Sequence, residues 1–457
     1  MSVSRVFVAN RGEIAGRVIR ACRALGVETV IGVSEADRDS LPARQADRAV
    51  CIGPATAKHS YLDMKAVVAA AVGTGCDALH PGYGFLAESA SLAQLCADHG
   101  VTFVGPTPEQ IHRMGNKLEA RLLARQLGLP ILSGSEKVGS AAEALSVADR
   151  VGLPLMMKAA SGGGGRGMKI VRDRNEIASQ FTSAAADARA AVGDDTLYLE
   201  RYISNARHVE VQVLGDRFGH VIHLGERDCS LQRRHQKVIE EAPAPGLDPA
   251  LRNAIREAAL TLARGMNYQS AGTVEFIVDA DTDTFFFLEM NTRIQVEHPV
   301  TEAVTGIDLV QEQLRIARGE TLRYRQEDIS LTGHAIECRI TAEKPHEDFR
   351  PDPGRIDRWD PPQGQGIRLD SHCFAGYEIP IFYDSLLAKL IVHESDRDAA
   401  IRRMSQALAD FRIEGVGTTL PFLAHAIQDE AFGAGRVNTN LVAQLIAEMT
   451  AQPKAGA

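Results

Sequence analysis

The chain of 457 residues is long enough for about three domains of ordinary size, and 45% hydrophobic with 24% charged residues is the balance of a folded globular protein. A net charge of -9 argues against nucleic acid or an anionic membrane as the main partner, while leaving room for a local basic phosphate site. The seven cysteines form no CxxC pair and no short zinc-type spacing, no signal peptide is read at the N-terminus and no apolar run could cross a bilayer, so reduced thiols in a cytoplasmic protein are expected.

Residues 5–9 read as a buried strand. Gly12 to Gly26 read as an amphipathic helix with Ile14, Val18, Ile19 and Cys22 on one face, and 27–33 as a second strand. This βαβ opening predicts a parallel, doubly wound domain, continued by a helix near 62–72, a strand at 77–79, a helix at 88–99 and a strand at 101–104. The first turn, Ala9-Asn10-Arg11-Gly12-Glu13, lacks the G-x-G-x-x-G of dinucleotide enzymes, which disfavours a dehydrogenase. The loop His80 to Phe85, with Tyr83 at its centre, follows the carboxyl end of a strand, where open α/β sheets bind ligands. A plain tight turn of Pro and Gly is the alternative.

From Pro130 a second unit begins. Leu153 to Met157 is an apolar strand ending in Lys158, and Lys169 to Val171 returns as its neighbour. Between them lie Gly162, Gly163, Gly164, Gly165, Arg166, Gly167 and Met168. Four consecutive glycines are costly to order. Close approach of backbone N–H groups and Arg166 to a phosphate supplies a reason, with a flexible hairpin tip as the alternative. No Walker Gly-Lys-Ser/Thr follows. Met157-Lys158 is also not a biotin-acceptor site, because that signature is a Met-Lys-Met hairpin turn.

A third unit opens with strand patterns at Arg207–Leu214 and Val221–Leu224. The polar run from Glu226 to Lys237 is expected to be a site loop rather than a solvated charge run. Pro249 to Gly265 is a helix; Gly272 to Asp279 and Thr284 to Asn291 are two strands joined by the turn Ala280–Asp283. An antiparallel hairpin there brings Glu275 near Glu289, with Asn291 one pleat along. Two carboxylates and an amide oxygen are hard donors suited to Mg²⁺ or Mn²⁺.

From 289 to 297 the alternation continues, with Glu289, Asn291, Arg293, Gln295 and Glu297 on one face. A fully extended strand would set the two glutamates up to about 26 Å apart, as two stations on one substrate path. Beyond 300, the expected elements are a helix at 307–318, a strand at 333–340 with Glu337 and Arg339 on one side, and helices near 397–410, 417–428 and 438–449.

Taken together, Asn10 to Ala15, His80 to Gly84, the glycine loop, Glu226 to Ser230 and Glu289 to Pro299 closely resemble biotin carboxylase of the ATP-grasp superfamily, over residues 3–447. The resemblance implies an α/β and α+β ATP-grasp fold: an N-terminal parallel α/β domain (1–115), a glycine-rich lid (131–203) and a C-terminal catalytic domain (204–447). It implies that ATP, with Mg²⁺ or Mn²⁺, phosphorylates bicarbonate to carboxyphosphate, whose CO₂ carboxylates biotin on a carrier protein.

By motif position, Lys117, Lys158 and His208 would hold phosphates, together with Gly163, Gly164, Gly165, Arg166, Gly167 and Met168. His235 and Gln232 would contact the ribose, and the backbone from Glu200 to Ile203 the adenine. Tyr83 would join the binding residues. Glu275, Glu289 and Asn291 would bind the metal. Arg293, Gln295 and Val296 would position bicarbonate, and Lys237 would face the reacting phosphoryl group. Glu297 would be the base and Arg339 would stabilise the biotin enolate.

Two departures stand out. Arg201 replaces the usual Lys beside the adenine. Arg20 and Arg368 keep a dimer contact of the family, whereas Ala24 and Gln365 replace its acid and phenylalanine, so self-association is expected to be weak. No biotin-acceptor or carboxyltransferase segment is recognisable, so a separate carrier protein and carboxyltransferase are expected as partners. An ATP-grasp ligase joining a carboxylate to an amine is the competing enzyme, and a non-catalytic nucleotide-binding scaffold the competing class.

Overall fold

A computed structural model describes residues 3–160 and 168–451. The N-terminal sheet has the strand order β3-β2-β1-β4-β5, with β1 at Arg5–Val8, β2 at Glu28–Ser34, β3 at Arg48–Gly53, β4 at Ala78–His80 and β5 at Thr102–Phe103. All its pairings are parallel, as the βαβ opening predicts. Apolar clusters fill both faces of this sheet, one of them including Val18 and Ile19 of the helix Gly12–Ala24. This is why its strands read as continuous hydrophobic runs.

A three-stranded sheet follows, ordered β7-β6-β8, from β6 (Leu155–Ala159), β7 (Lys169–Val171) and β8 (Leu197–Arg201). The expected hairpin is present, with Leu155 opposite Val171 and Met157 opposite Lys169. Its glycine tip lies outside the described residues.

The largest sheet has eight strands and carries the candidate site. Its first six are β9 (Ala206–Gly215), β10 (Val221–Arg233), β11 (Gln236–Ala242), β12 (Ser270–Asp279), β13 (Thr284–Asn291) and β14 (His334–Thr341). They run in the order β13-β12-β9-β10-β11-β14, then the strands Leu386–Glu394 and Ile367–Ser371. Every pairing is antiparallel. The helix Pro249–Gly265 packs Ile255, Ala259 and Leu262 beneath β9 and β12, while Arg397–Asp410 and Leu420–Ile427 cover the other end. Among the described residues no helix is long and apolar enough to cross a membrane.

Three histidines sit in this framework uncharged. Burial, reinforced by Arg17, brings His80 from 6.5 to about 4. Burial with Arg256 brings His223 to about 4, and burial with Arg11 brings His372 to about 3. In the unfolded chain these rings take up protons near 6.5, before the folded protein does. Their contribution to stability is therefore complete above pH 6.5 and is lost as pH falls towards 4, at about 1.4 kcal/mol for each unit of depression. Thermal denaturation is expected to show a melting temperature that drops steeply between pH 6.5 and 4.5. A flat profile there would contradict the uncharged state of these rings.

Candidate active site

The expected hairpin β12–β13 forms, and a bulge between Phe276 and Glu275 sets Glu275 opposite Glu289 and Thr273 opposite Asn291. The strand expected to continue to Glu297 does not. It ends at Asn291, and residues 292–297 run irregularly into the helix His298–Thr305. Arg293 explains the turn. Its NH2 donates to Asn291 Oδ1 at 3.0 Å and its NH1 to the Ile294 carbonyl at 3.2 Å, while Nε reaches Glu88 at 2.9 Å. The guanidinium thus folds back on its own chain, and the two expected stations adjoin instead of lying far apart.

A second expectation is also corrected. The polar run 226–237 is not a loop but lies within the antiparallel pair β10–β11, joined by a two-residue turn at Arg234 and His235. Both turn residues have positive φ (48° and 67°), the requirement of a type I′ hairpin. Neither is Gly, so each carries a backbone strain of about 1–3 kcal/mol. Charges are tolerated within the sheet because they satisfy one another. The fully buried Arg227 donates to Glu210 (2.6 Å), Gln212 (2.8 Å), Thr301 (2.9 Å), Thr273 (3.2 Å) and Gln295 (2.9 Å).

At the centre of the site is the ammonium of Lys237. It lies 2.5 Å from Glu210, 3.0 Å from Glu275 and 2.5 Å from Glu297. The second oxygen of Glu297 accepts from Arg339 NH2 at 2.9 Å, and Arg339 Nε donates to Glu240 at 2.5 Å. Gln295 is held at both ends, donating to Glu275 at 2.8 Å and accepting from Arg227. The carbonyl of Val296 accepts from Lys389 at 2.7 Å.

Burial alone would raise Glu275, but Lys237 and then His208 bring it down to about 2. Against a similar burial penalty, Lys237 and Arg227 hold Glu210 well below the carboxylate range. Burial pulls His208 down, yet Glu275 and Glu210 carry it up to about 9.

The residues expected around a nucleotide form a second group. Lys158 pairs with Glu200, which also accepts from Arg121 at 2.6 Å. Lys117 stands 3.5 Å from Glu289. His235 is held below its ordinary value first by burial and then by Lys158 and Lys117, so it shares their electrostatic neighbourhood. Gln232 donates to the Cys229 carbonyl at 2.8 Å. Ile203 lies two residues beyond the end of β8, whose last residue, Arg201, donates its N–H to the Ser133 carbonyl. Met168 immediately precedes β7 and is half-buried. Gly163, Gly164, Gly165, Arg166 and Gly167 lie outside the described residues.

Lys237, Arg293, Val296 and Arg339 line a cleft of about 670 Å³ together with Tyr83, Glu13 and Phe382. The Tyr83 hydroxyl bonds Glu13, and Glu13 lies 3.0 Å from Lys389.

Glu13, Glu88, Glu210, Glu240 and Lys389 were not singled out from the sequence. A signal existed for Glu210: His208, Glu210 and Gln212 alternate with Val209, Val211 and Val213 along β9, a polar face on a strand buried throughout. Two groups of potential ligand atoms, His208/Glu210/Glu275 and Glu210/Cys229/Glu297, include Glu210. Their shared space, however, already holds the Lys237 ammonium. The expected metal set fits better. Glu275 is kept ionised, Glu289 is partly exposed with Lys117 as a distant partner, and Asn291 adds an amide oxygen. All three are hard oxygen donors of the kind Mg²⁺ or Mn²⁺ takes.

A small antiparallel sheet and a large one, with lysines and acids converging beside them, define an ATP-grasp enzyme. Residues 116–325 match the family described as carbamoyl-phosphate synthase L chain, ATP binding domain. Residues 2–111 match the biotin carboxylase N-terminal domain and 337–444 the biotin carboxylase C-terminal domain. The chain belongs to the biotin carboxylase family of ATP-dependent ligases.

It is 50% identical over 446 residues to the biotin carboxylase of Nostoc sp., covering 97% of this chain and 100% of that one. It is 48% identical over 440 residues to a pyruvate carboxylase subunit of Methanothermobacter thermautotrophicus, covering 96% and 89%. The biotin carboxylase domain dimer of Hydrogenobacter thermophilus 2-oxoglutarate carboxylase, solved with MgADP, ADP and bicarbonate, superposes with a TM-score of 0.94. It shares 45% identity, with 97% of this chain and 98% of that one covered.

Proposed function

We propose that this chain carries out the first half-reaction of a biotin-dependent acyl-CoA carboxylase with each residue in the role its motif position implies. The observation that carries the reading is the placing of Glu297 between Lys237 and Arg339. One carboxylate thereby links the phosphoryl-transfer side to the carboxylation side. Lys117, Lys158 and His208 bind the phosphates of ATP with the glycine loop, Gln232 and His235 hold the ribose, and the backbone at Glu200–Ile203 meets the adenine. Glu275, Glu289 and Asn291 hold Mg²⁺ or Mn²⁺, which when bound neutralises charge on the phosphates.

Arg293, Gln295 and Val296 orient bicarbonate. Glu297 takes its proton as its oxygen attacks the γ-phosphorus and ADP leaves, while Lys237 offsets the charge gathering on the transferred group. Carboxyphosphate divides into CO₂ and phosphate. The phosphate accepts the N1′ proton of biotin, Arg339 steadies the enolate oxygen, and N1′ bonds to CO₂. Excluding water protects carboxyphosphate, which fits a glycine-rich lid over residues 131–203 closing on the catalytic domain 204–447. The N-terminal domain 1–115 supplies Tyr83 to the cleft and Glu88 to Arg293. Bicarbonate-dependent ADP release stimulated by free biotin is the expected activity. Strong turnover with an amine and no response to biotin would favour the carboxylate–amine ligase instead.

Biotin reaches the cleft on a carrier protein and leaves for a carboxyltransferase. The exposed Phe382 lines this cleft, and the exposed Ile381 is its neighbour in the chain. The acceptor we propose is acetyl-CoA, with pyruvate and 2-oxoglutarate as the competitors defined by the named relatives. Material purified with its native partners should consume acetyl-CoA; turnover of a keto acid instead would reassign the pathway. The described cysteines are all free thiols, six of the seven buried, which agrees with the reducing conditions of a cytoplasm.

Self-association should be weak. Arg368 is already paired with Glu302 and Asp370, each at 2.7 Å, and Arg20 with Asp370 at 2.7 Å. These arginines line a shallow groove with Ala24 in place of an acid. Sedimentation should give mostly monomer at micromolar concentration. A dimer persisting at nanomolar concentration would overturn this.

A further inference from the structure

The pairing of β11 with β14 sets Glu240 directly opposite Glu337. Opposed side chains of an antiparallel pair have Cβ atoms about 5 Å apart and share a face. Both glutamates are fully buried. Glu240 uses one oxygen to accept from Arg339 Nε at 2.5 Å. Among the described residues, its other oxygen and both oxygens of Glu337 find no donor. Three orphaned carboxylate oxygens in a dry sheet would cost several kcal/mol if both groups were ionised.

The cation nearest in influence to Glu337 is Lys389, but its ammonium is taken up by the Val296 carbonyl at 2.7 Å and Glu13 at 3.0 Å. The missing donor is most simply a proton on the pair itself.

We propose that Glu240 and Glu337 share a single proton and act together as positioning residues for Arg339. In this arrangement neutral Glu337 donates to the free oxygen of Glu240. That fixes the Glu240 carboxylate on the Nε edge of Arg339 and leaves NH2 turned to Glu297 and the cleft. The inference rests on the reading of Arg339 as the group that meets biotin.

The surroundings favour one proton and no more. Burial, first of all, raises Glu337 well above the carboxylate range and Glu240 to about 7. Arg339 on β14, Lys389 on the strand Leu386–Glu394 and Lys237 on β11 act in the opposite direction. Glu297, before the helix His298–Thr305, adds to the rise, and His298 itself is kept uncharged by burial and Lys389. Loss of the proton as pH rises would leave Glu240, Glu337 and Glu297 all ionised around one guanidinium, pulling it from the cleft. The expected consequence is an alkaline limb in biotin turnover set by the pair.

Glu337→Gln keeps a neutral donor at every pH. It should retain biotin carboxylation at pH 7 within about threefold, leave the KM for ATP unchanged and move the alkaline limb up by more than about one pH unit. Glu337→Ala, which supplies no donor, should raise the KM for biotin about tenfold. Infrared difference spectra give a readout independent of activity: the wild-type protein at neutral pH should show a protonated-carboxyl stretch that Glu337→Gln lacks. A pH profile of Glu337→Gln superimposable on wild type, or a carboxyl band that survives the substitution, overturns the shared proton. Arg339→Ala with undiminished biotin turnover would instead sink the role of Arg339, while the infrared band still reports on the pair.

Discussion

Glu297→Gln should lower bicarbonate-dependent ATP cleavage by about 10²- to 10⁴-fold, the range expected when a positioned general base is removed. The substitution is close to isosteric, and the amide can still accept from Lys237 or Arg339, which hold the native carboxylate at 2.5 and 2.9 Å. Binding of ATP should therefore stay within about threefold of wild type, because the loss falls on a proton transfer made only in the transition state. Single-turnover ADP formation and nucleotide titration separate the two effects. A variant retaining more than a tenth of the rate would remove Glu297 from the role of base.

The other large effect is expected at Lys237. Replacing it by Met keeps the apolar stem of the side chain but withdraws the cation that joins Glu210, Glu275 and Glu297. Breaking such a buried set by removing one partner costs about 3–5 kcal/mol, since the remaining charges are left in a poorly solvated place. The sign with pH follows from the carboxylates. Glu275 is brought down to about 2 chiefly by Lys237 acting against burial, so its contribution to stability is present above about 4.5 and lost as pH falls towards 2. Without Lys237 that contribution should shrink, and the variant's stability should approach wild type as the medium is acidified. Urea denaturation at pH 7 and pH 3 tests this, and an equal loss at both would point to packing instead of charge. Phosphoryl transfer should fall with stability, since the same ammonium is proposed to offset charge on the transferred group.

What could be read from residues alone was whatever rests on local period and turn chemistry. The existence of the β12–β13 hairpin was legible because strand patterns flank the turn Ala280–Asp283, but alternation alone would set Glu275 opposite Leu288; a bulge between Phe276 and Glu275 brings Glu289 opposite it while Phe276 and Phe287 stay paired in the core. The helix Pro249–Gly265 was legible from its Pro near the start and its apolar stripe. The family resemblance rested on short motifs that are contiguous in the chain, and the proposed nucleotide, metal and biotin residues came with it.

The polar segment 226–237 was misread because charge density is a poor guide to exposure when the partners are distant in sequence. Arg227 is buried only because Glu210, Gln212, Thr273, Gln295 and Thr301 converge on it, from 15 to 74 residues away. The end of the strand at Asn291 was hidden for a similar reason: the period-two pattern runs on, and Glu88 of another unit helps turn Arg293. The sequence by itself thus determined the fold class, the hairpin of Glu275 and Glu289 and the kind of reaction, since each depends on neighbours along the chain. Only the tertiary structure decided that Lys237 joins three acids, that Glu297 stands between Lys237 and Arg339, and that Glu240 faces Glu337. Those contacts come from strand order and register, through which desolvated charges find partners that local sequence does not reveal.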